Sequence, residues 1–149
     1  MATASELDQA LSTYFRPLTF PVAFKMLKSE DEIPEKTRRP FQQMGKKVAI
    51  CQGIGMSRKY GWTVALGKED MGCALGAAPF GFFENIDFFN EGSMAAGMFT
   101  ASKEIGKMEE DLISRFDFGT YSHILIAPLN RASFDPDLYM VYGNPAQIM

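Results

Sequence analysis

Histidine and tryptophan each occur once in this 149-residue chain, and cysteine occurs twice. A single histidine, His123, excludes His-rich zinc centres and leaves only one imidazole for base-assisted nucleophilic chemistry. Two cysteines, Cys51 and Cys73, cannot build a disulfide framework, and neither belongs to a C-x-x-C pair. The chain also lacks a strong excess of either charge. Its formal net charge of −3 gives no electrostatic reason to expect nucleic acid or an anionic membrane surface. The longest uncharged, apolar-rich run, Met71 to Phe83, has 13 residues and is too short to span a bilayer. No basic-plus-apolar signal segment opens the sequence. These absences predict a soluble, cytoplasmic protein with no nucleic-acid and no membrane partner.

What is present fits one globular domain. Apolar residues make up 46% and charged residues 22%, and a chain of this length can bury a core without staples. Phenylalanine (13) and methionine (10) are abundant, which predicts either a soft, adaptable core or an apolar ligand pocket.

Local patterns set the expected elements. Ser5 caps a helix from Glu6 to Phe15, with Leu7, Leu11, Tyr14 and Phe15 on one face. A strand follows from Phe20 to Leu27. In Lys28–Pro40 eight of thirteen residues are charged, which reads as a solvated loop. Its basic end (Lys36, Arg38, Arg39) could hold an anion, but the neighbouring acids balance it. Phe41 to Tyr60 reads as a helix whose stripe carries Phe41, Met44, Val48, Cys51 and Gly55, closed by Gly61. Gly45, Gly53 and Gly55 argue against it at about 1 kcal/mol each, a cost that close approach of another backbone or a ligand would offset. The competing reading, a strand over Lys47–Cys51 and a glycine-rich turn, is no dinucleotide fingerprint, because the third glycine position is Arg58. Further strands are expected at Trp62–Leu66, Tyr121–Ala127 and Leu138–Tyr142. Asp70 caps a helix from Met71 to Ala78, and the helical region Ser93–Phe116 has breaks available at Gly97 and Gly106. Asn144-Pro145 opens a last helix, expected to continue past Met149 in a longer protein. Together these give a single α+β domain, a small mixed β-sheet packed against several helices.

Cys73 is the foremost candidate for chemistry. As the third residue of a helix capped by Asp70, its sulfur would feel the positive end of the dipole, while Glu69 and Asp70 act against a thiolate. Cys51, on the inferred buried stripe, reads first as a small hydrophobe. Glu69-Asp70 beside Cys73 could ligate a metal or move a proton, though a helix N-terminus that favours negative charge explains the pair more simply. Asp135-Pro136-Asp137 offers oxygen ligands or merely a turn between strands, His123 reads as a packing residue, and Arg131 could bind a carboxylate or phosphate.

Five segments carry a resemblance. They are Ala49-Ile50-Cys51-Gln52, Tyr60-Gly61-Trp62-Thr63-Val64-Ala65-Leu66, Lys68 to Ala77, Ile126-Ala127-Pro128-Leu129 and Tyr142-Gly143-Asn144-Pro145-Ala146-Gln147. In this order the chain resembles the ArCR family, a cysteine-rich domain of unknown function (number 169), from about Phe20 to Met149. The resemblance implies a longer family protein of which this is the N-terminal part. It covers Cys51 and Cys73, with Ala74 where the family pattern has proline.

The functional expectation is a ligand- or cofactor-binding protein whose site includes Cys73, Cys51, Glu69 and Asp70, in its sharpest form an iron–sulfur or other thiolate-bound metal. Two thiolates are too few for a four-cysteine cluster, so a second copy of the chain or further sequence would complete it. The alternatives are a thiol-dependent enzyme using Cys73, and a structural or interaction module with no chemistry. The partners compatible with the sequence are a second copy, as a homo-oligomer, and a small-molecule ligand.

Overall fold

The apolar runs around Val22, Val64 and Ile124 become the sheet. The computed structural model describes residues 3–148. In it β1 (Val22–Leu27), β2 (Val64–Gly67), β3 (His123–Pro128) and the short β4 (Leu138–Met140) form four strands in the order β2-β3-β1-β4. β2 and β3 are buried on both faces, which is why they read as continuous apolar runs. The α+β class is as predicted, but the sheet is not mixed: all three strand pairs are antiparallel. Parallel pairing is confined to two isolated bridges, Arg38–Val64 and Val48–Met71. Helices between strands do not dictate parallel pairing, because connections this long can return the chain at either end of the sheet.

Alternation divides the sheet into two unlike faces. Val22, Phe24 and Met26 share one face with their register partners Ile124 and Ile126 and with Val64 and Leu66. α3 (Ile50–Tyr60) lies on this face, with Phe80 and Phe82 beside it in the main core. Each large apolar side chain buried here contributes about 1.5–3 kcal/mol. The approach of α3 explains Gly53: a Cβ there would stand 2.7 Å from Leu66 Cδ1. The opposite face carries smaller residues and a minor cluster of Leu27, Ala65 and Leu125, covered by Ile33 and Phe134.

The expected helix over 41–60 is two. α2 (Pro40–Met44) stops at Gly45, whose φ of 61° is left-handed, and α3 begins only at Ile50. Between them Val48 leaves the helical path. Its N–H donates to Asp70 O and its carbonyl accepts from Gly72 N, at 2.7 and 3.0 Å. The stripe is therefore interrupted, and Cys51 is exposed rather than buried.

The remaining elements are short. α1 (Ala4–Ala10) is capped by Thr3 in a capping box with Glu6, two residues before the expected cap, and runs on as a π-helical turn over Leu11–Phe15. α4 (Ala74–Ala77) starts three residues later than expected, with Cys73 rather than Asp70 at its N-cap. α5 (Asp87–Asn90), α6 (Ser93–Met98) and α7 (Lys103–Asp111) pack around Phe89 and Met94. The helical region after Ser93 is in two pieces, Ser93–Met98 and Lys103–Asp111. The break lies between Met98 and Lys103, however, where Ser102 caps α7, and not at a glycine. α8 (Pro145–Ile148) is capped by Asn144, whose Oδ1 accepts from Gln147 N at 3.0 Å. Among the described residues no helix is long and apolar enough to cross a membrane.

Candidate functional site

The four residues singled out in the sequence have separate fates. Cys51 is exposed in the first turn of α3, and Glu69 is exposed on the turn after β2. Cys73 is half-buried and lines a recess of about 290 Å³ with Lys47, Gly72, Phe83 and Asn85. Asp70 is buried, but its carboxylate does not cap α4. Oδ1 accepts the Phe41 N–H at 2.9 Å and Oδ2 the Gly67 N–H at 3.0 Å. Both oxygens thus tie the start of α2 to the end of β2. Among the described residues no three His, Cys, Asp or Glu side chains gather in a way that could hold a metal ion.

Asp70 belongs instead to a buried ionic cluster on the thinner face of the sheet. Arg39, Asp70 and His123 are respectively 8, 1 and 8% exposed, so their charges and lone pairs must be answered within the protein. Arg39 Nη1 donates to Glu30 Oε1 at 2.6 Å, and its Nε stands 3.8 Å from Asp70 Oδ2, close enough for attraction but too long for a hydrogen bond. Arg39 Nη2 lies 3.1 Å from His123 Nε2. Arginine only donates, so Nε2 accepts, and the ring proton is assigned to Nδ1, which donates to Ser122 Oγ at 2.9 Å. Burial, and next the positive charge of Arg39, push the His123 pKa below its ordinary value, while the carboxylates of Glu30, Asp70 and Glu69 oppose them. The Arg39 hydrogen bond, with its charge, holds the Glu30 carboxyl below the usual range.

This cluster was not legible as a unit. Arg39 lies in the segment that charge density marks as a solvated loop, yet Thr37, Arg39 and Pro40 are all buried. The nearest signal is Pro40 directly after Arg39, which holds the arginine in extended backbone ahead of α2 but does not say which way its side chain turns. The cluster anchors the 28–39 segment to the sheet. His123 accords with its reading as a packing residue: its acceptor nitrogen is occupied by Arg39.

The other face holds a cavity of about 360 Å³ between α3, β4 and the sheet. Its walls include Phe24 and Met26 from β1, Ile50 and Ile54 from α3, and Phe80 and Met140. Its one acidic wall residue, Asp137, has its carboxylate engaged: Oδ2 accepts the Met26 N–H at 2.8 Å and Oδ1 pairs with Lys25 Nζ at 3.1 Å. The abundance of phenylalanine and methionine was the sequence signal for such a space.

Comparison with known proteins gives a family. The model of a family described as uncharacterised ArCR, domain of unknown function 169, matches residues 10–149. The chain belongs to the ArCR family. Its ArCR match begins before Phe20 and takes in the π-helical turn, the whole sheet, the ionic cluster and both cysteines. No curated protein matches this ArCR chain, and no solved structure matches it.

Proposed function

We propose that this ArCR domain is a binding protein for a small, uncharged, carbon-rich molecule held in the cavity between α3 and the sheet. The observation that carries the reading is the chemistry of the walls. They are aliphatic, aromatic and thioether groups, and the single carboxylate at the rim is engaged elsewhere. The volume lies near the lower end of the range for small-molecule sites. Such walls offer water no partners, so a ligand gains both apolar burial and dispersion contacts. Met26 and Met140 can adjust to its shape. Naphthalene is a suitable probe, observed by saturation-transfer NMR. Saturable binding to the native protein, lost in Ile54→Trp where the indole fills the space, is the expected result. No binding, or binding unchanged by that substitution, would sink the reading.

A second reading, thiol chemistry at Cys73, is favoured by the recess that the half-buried sulfur shares with Lys47 and Phe83. In its metal form, an iron–sulfur or other thiolate-bound centre, Cys51 and Cys73 need further donors from another chain, with Glu69 in support. Cys73→Ser separates the two. It removes bound metal or turnover under the thiol reading and leaves naphthalene binding intact under the first.

A further inference from the structure

A cleft of about 700 Å³ opens on the side of the molecule where the π-helical turn meets the end of α3. Three cationic side chains line it: Arg16, Arg58 and Lys59. One carboxylate, Asp8, faces them, so the formal charge of the lining is +2 (three cations less one anion). Among the described residues none of the three cations forms an ion pair.

Two of the three cations are held in place without being neutralised. The Arg58 guanidinium stacks on the Tyr142 ring at 3.8 Å, which fixes its plane. No ion pair engages its terminal nitrogens among the described residues, which leaves them for an acceptor in the cleft. Arg16 has φ 51° and ψ 59°, the left-handed region that a residue with this side chain rarely occupies. The Gln147 side chain holds it there, donating to Arg16 O at 2.8 Å and to Phe15 O at 3.1 Å. Strain of this kind, next to a π-helical turn, persists where the surrounding structure imposes it, and both features are concentrated at functional sites. The end of α3 would ordinarily repel an anion through its free carbonyls. Two of them are occupied here: Ser57 O accepts from Gly61 N and Arg58 O from Phe20 N, and the following Gly61 O accepts from Arg131 Nη1 at 2.7 Å.

We infer that this cleft binds a phosphate monoester of a hydroxyl-bearing small molecule. A dianionic phosphate matches the net charge of the lining, and arginine presents the planar fork that phosphate oxygens fit. The cleft is far larger than a phosphate alone requires. Asp8, Ser12, Thr19 and Asn130 supply acceptors and donors suited to hydroxyls. This site shares no lining residue with the apolar cavity, so it stands independently of the reading above.

Calorimetric titration with glucose 6-phosphate and with adenosine monophosphate tests it, with glucose and inorganic phosphate as controls. At least one of the two esters should bind in equal stoichiometry, more tightly than inorganic phosphate, while glucose gives no heat. Arg58→Gln should weaken that binding by about tenfold or more, the loss expected for a hydrogen bond to a charged group. Should Arg58→Gln fold poorly, Lys59→Gln serves instead: Lys59 is exposed and makes no side-chain hydrogen bond among the described residues, and its removal should also weaken binding. Ile54→Trp should leave ester affinity unchanged. Failure of both esters to bind, affinity no better than that of inorganic phosphate, or indifference to both charge-removing variants would each overturn the assignment.

Discussion

Arg39 and Arg58 sit in opposite circumstances. Arg39 is packed under the sheet with Glu30, Asp70 and His123 around it, and each of its two terminal nitrogens has a named partner. Arg58 is half-buried beside Arg16 and Lys59, held against an aromatic ring, with no carboxylate paired to it among the described residues. The first arrangement answers its charge from within the protein and supports folding. The second leaves positive charge facing a cleft, where only something from outside can answer it. An arginine's partners therefore say more about its role than its burial does.

The sharpest way to break this comparison is at Asp70. Asp70→Ala removes the nearest buried carboxylate from Arg39 and leaves the Phe41 and Gly67 N–H groups without their acceptor. Breaking a buried charge pair from one side costs about 3–5 kcal/mol. Urea unfolding should show a loss of that size, with phosphate-ester affinity of the folded fraction unchanged. A loss under about 1 kcal/mol would mean that solvent reaches Arg39 and that the cluster is not closed.

Much of the frame could be read from the sequence, and most of the misses share a cause. The apolar runs of the sheet, the glycine that ends α3 and the Asn144 cap depend on neighbours within a few residues, and they were legible. The unbroken helix over 41–60 and the capping role of Asp70 failed because a distant segment competed for the same backbone groups, and mixed pairing failed because long connections can return the chain at either end of the sheet. Val48 gave up a helical path for a bridge to Met71, and Asp70 turned to Phe41 N, 29 residues away in sequence. Cys51 followed its helix out to solvent. The candidate sites suffered most, since clefts join residues as far apart as Asp8 and Asn130, which no spacing rule connects.

A smaller effect is expected from pH, confined to the closed cluster. The His123 pKa is lowered from 6.5 in the folded protein by burial and by Arg39. As pH falls through 6.5 the unfolded chain takes up a proton that the native one refuses, so stability is lost. The loss stops growing once pH passes below the folded value. The slope for one proton is at most about 1.4 kcal/mol per pH unit. His123→Gln, which keeps an acceptor for Arg39, should flatten this part of the profile in urea titrations from about pH 5 to 8. The lowered Glu30 carboxyl acts in a separate window: its contribution, present at higher pH, is lost as pH falls below the ordinary 4.5. A wild-type profile flat around pH 6 would show that water or a movement of Arg39 lets His123 protonate freely.

The smallest expected change in stability lies in the open cleft, and its smallness is the informative part. Arg58→Gln gives up a cation–π contact at a half-buried position, worth about 0.5–1 kcal/mol, together with a favourable charge at the end of α3. Lys59→Gln should shift stability by no more than about 0.5 kcal/mol, as for an exposed surface residue. Thermal melts of both variants beside ester titrations would separate the two quantities. Near-native stability with affinity reduced about tenfold is the signature of charge held for a ligand. Stability lowered as far as in Asp70→Ala would instead mean that Arg58 is a second structural hub, its charge answered by the Tyr142 ring and the carbonyls around it, and the contrast with Arg39 would collapse.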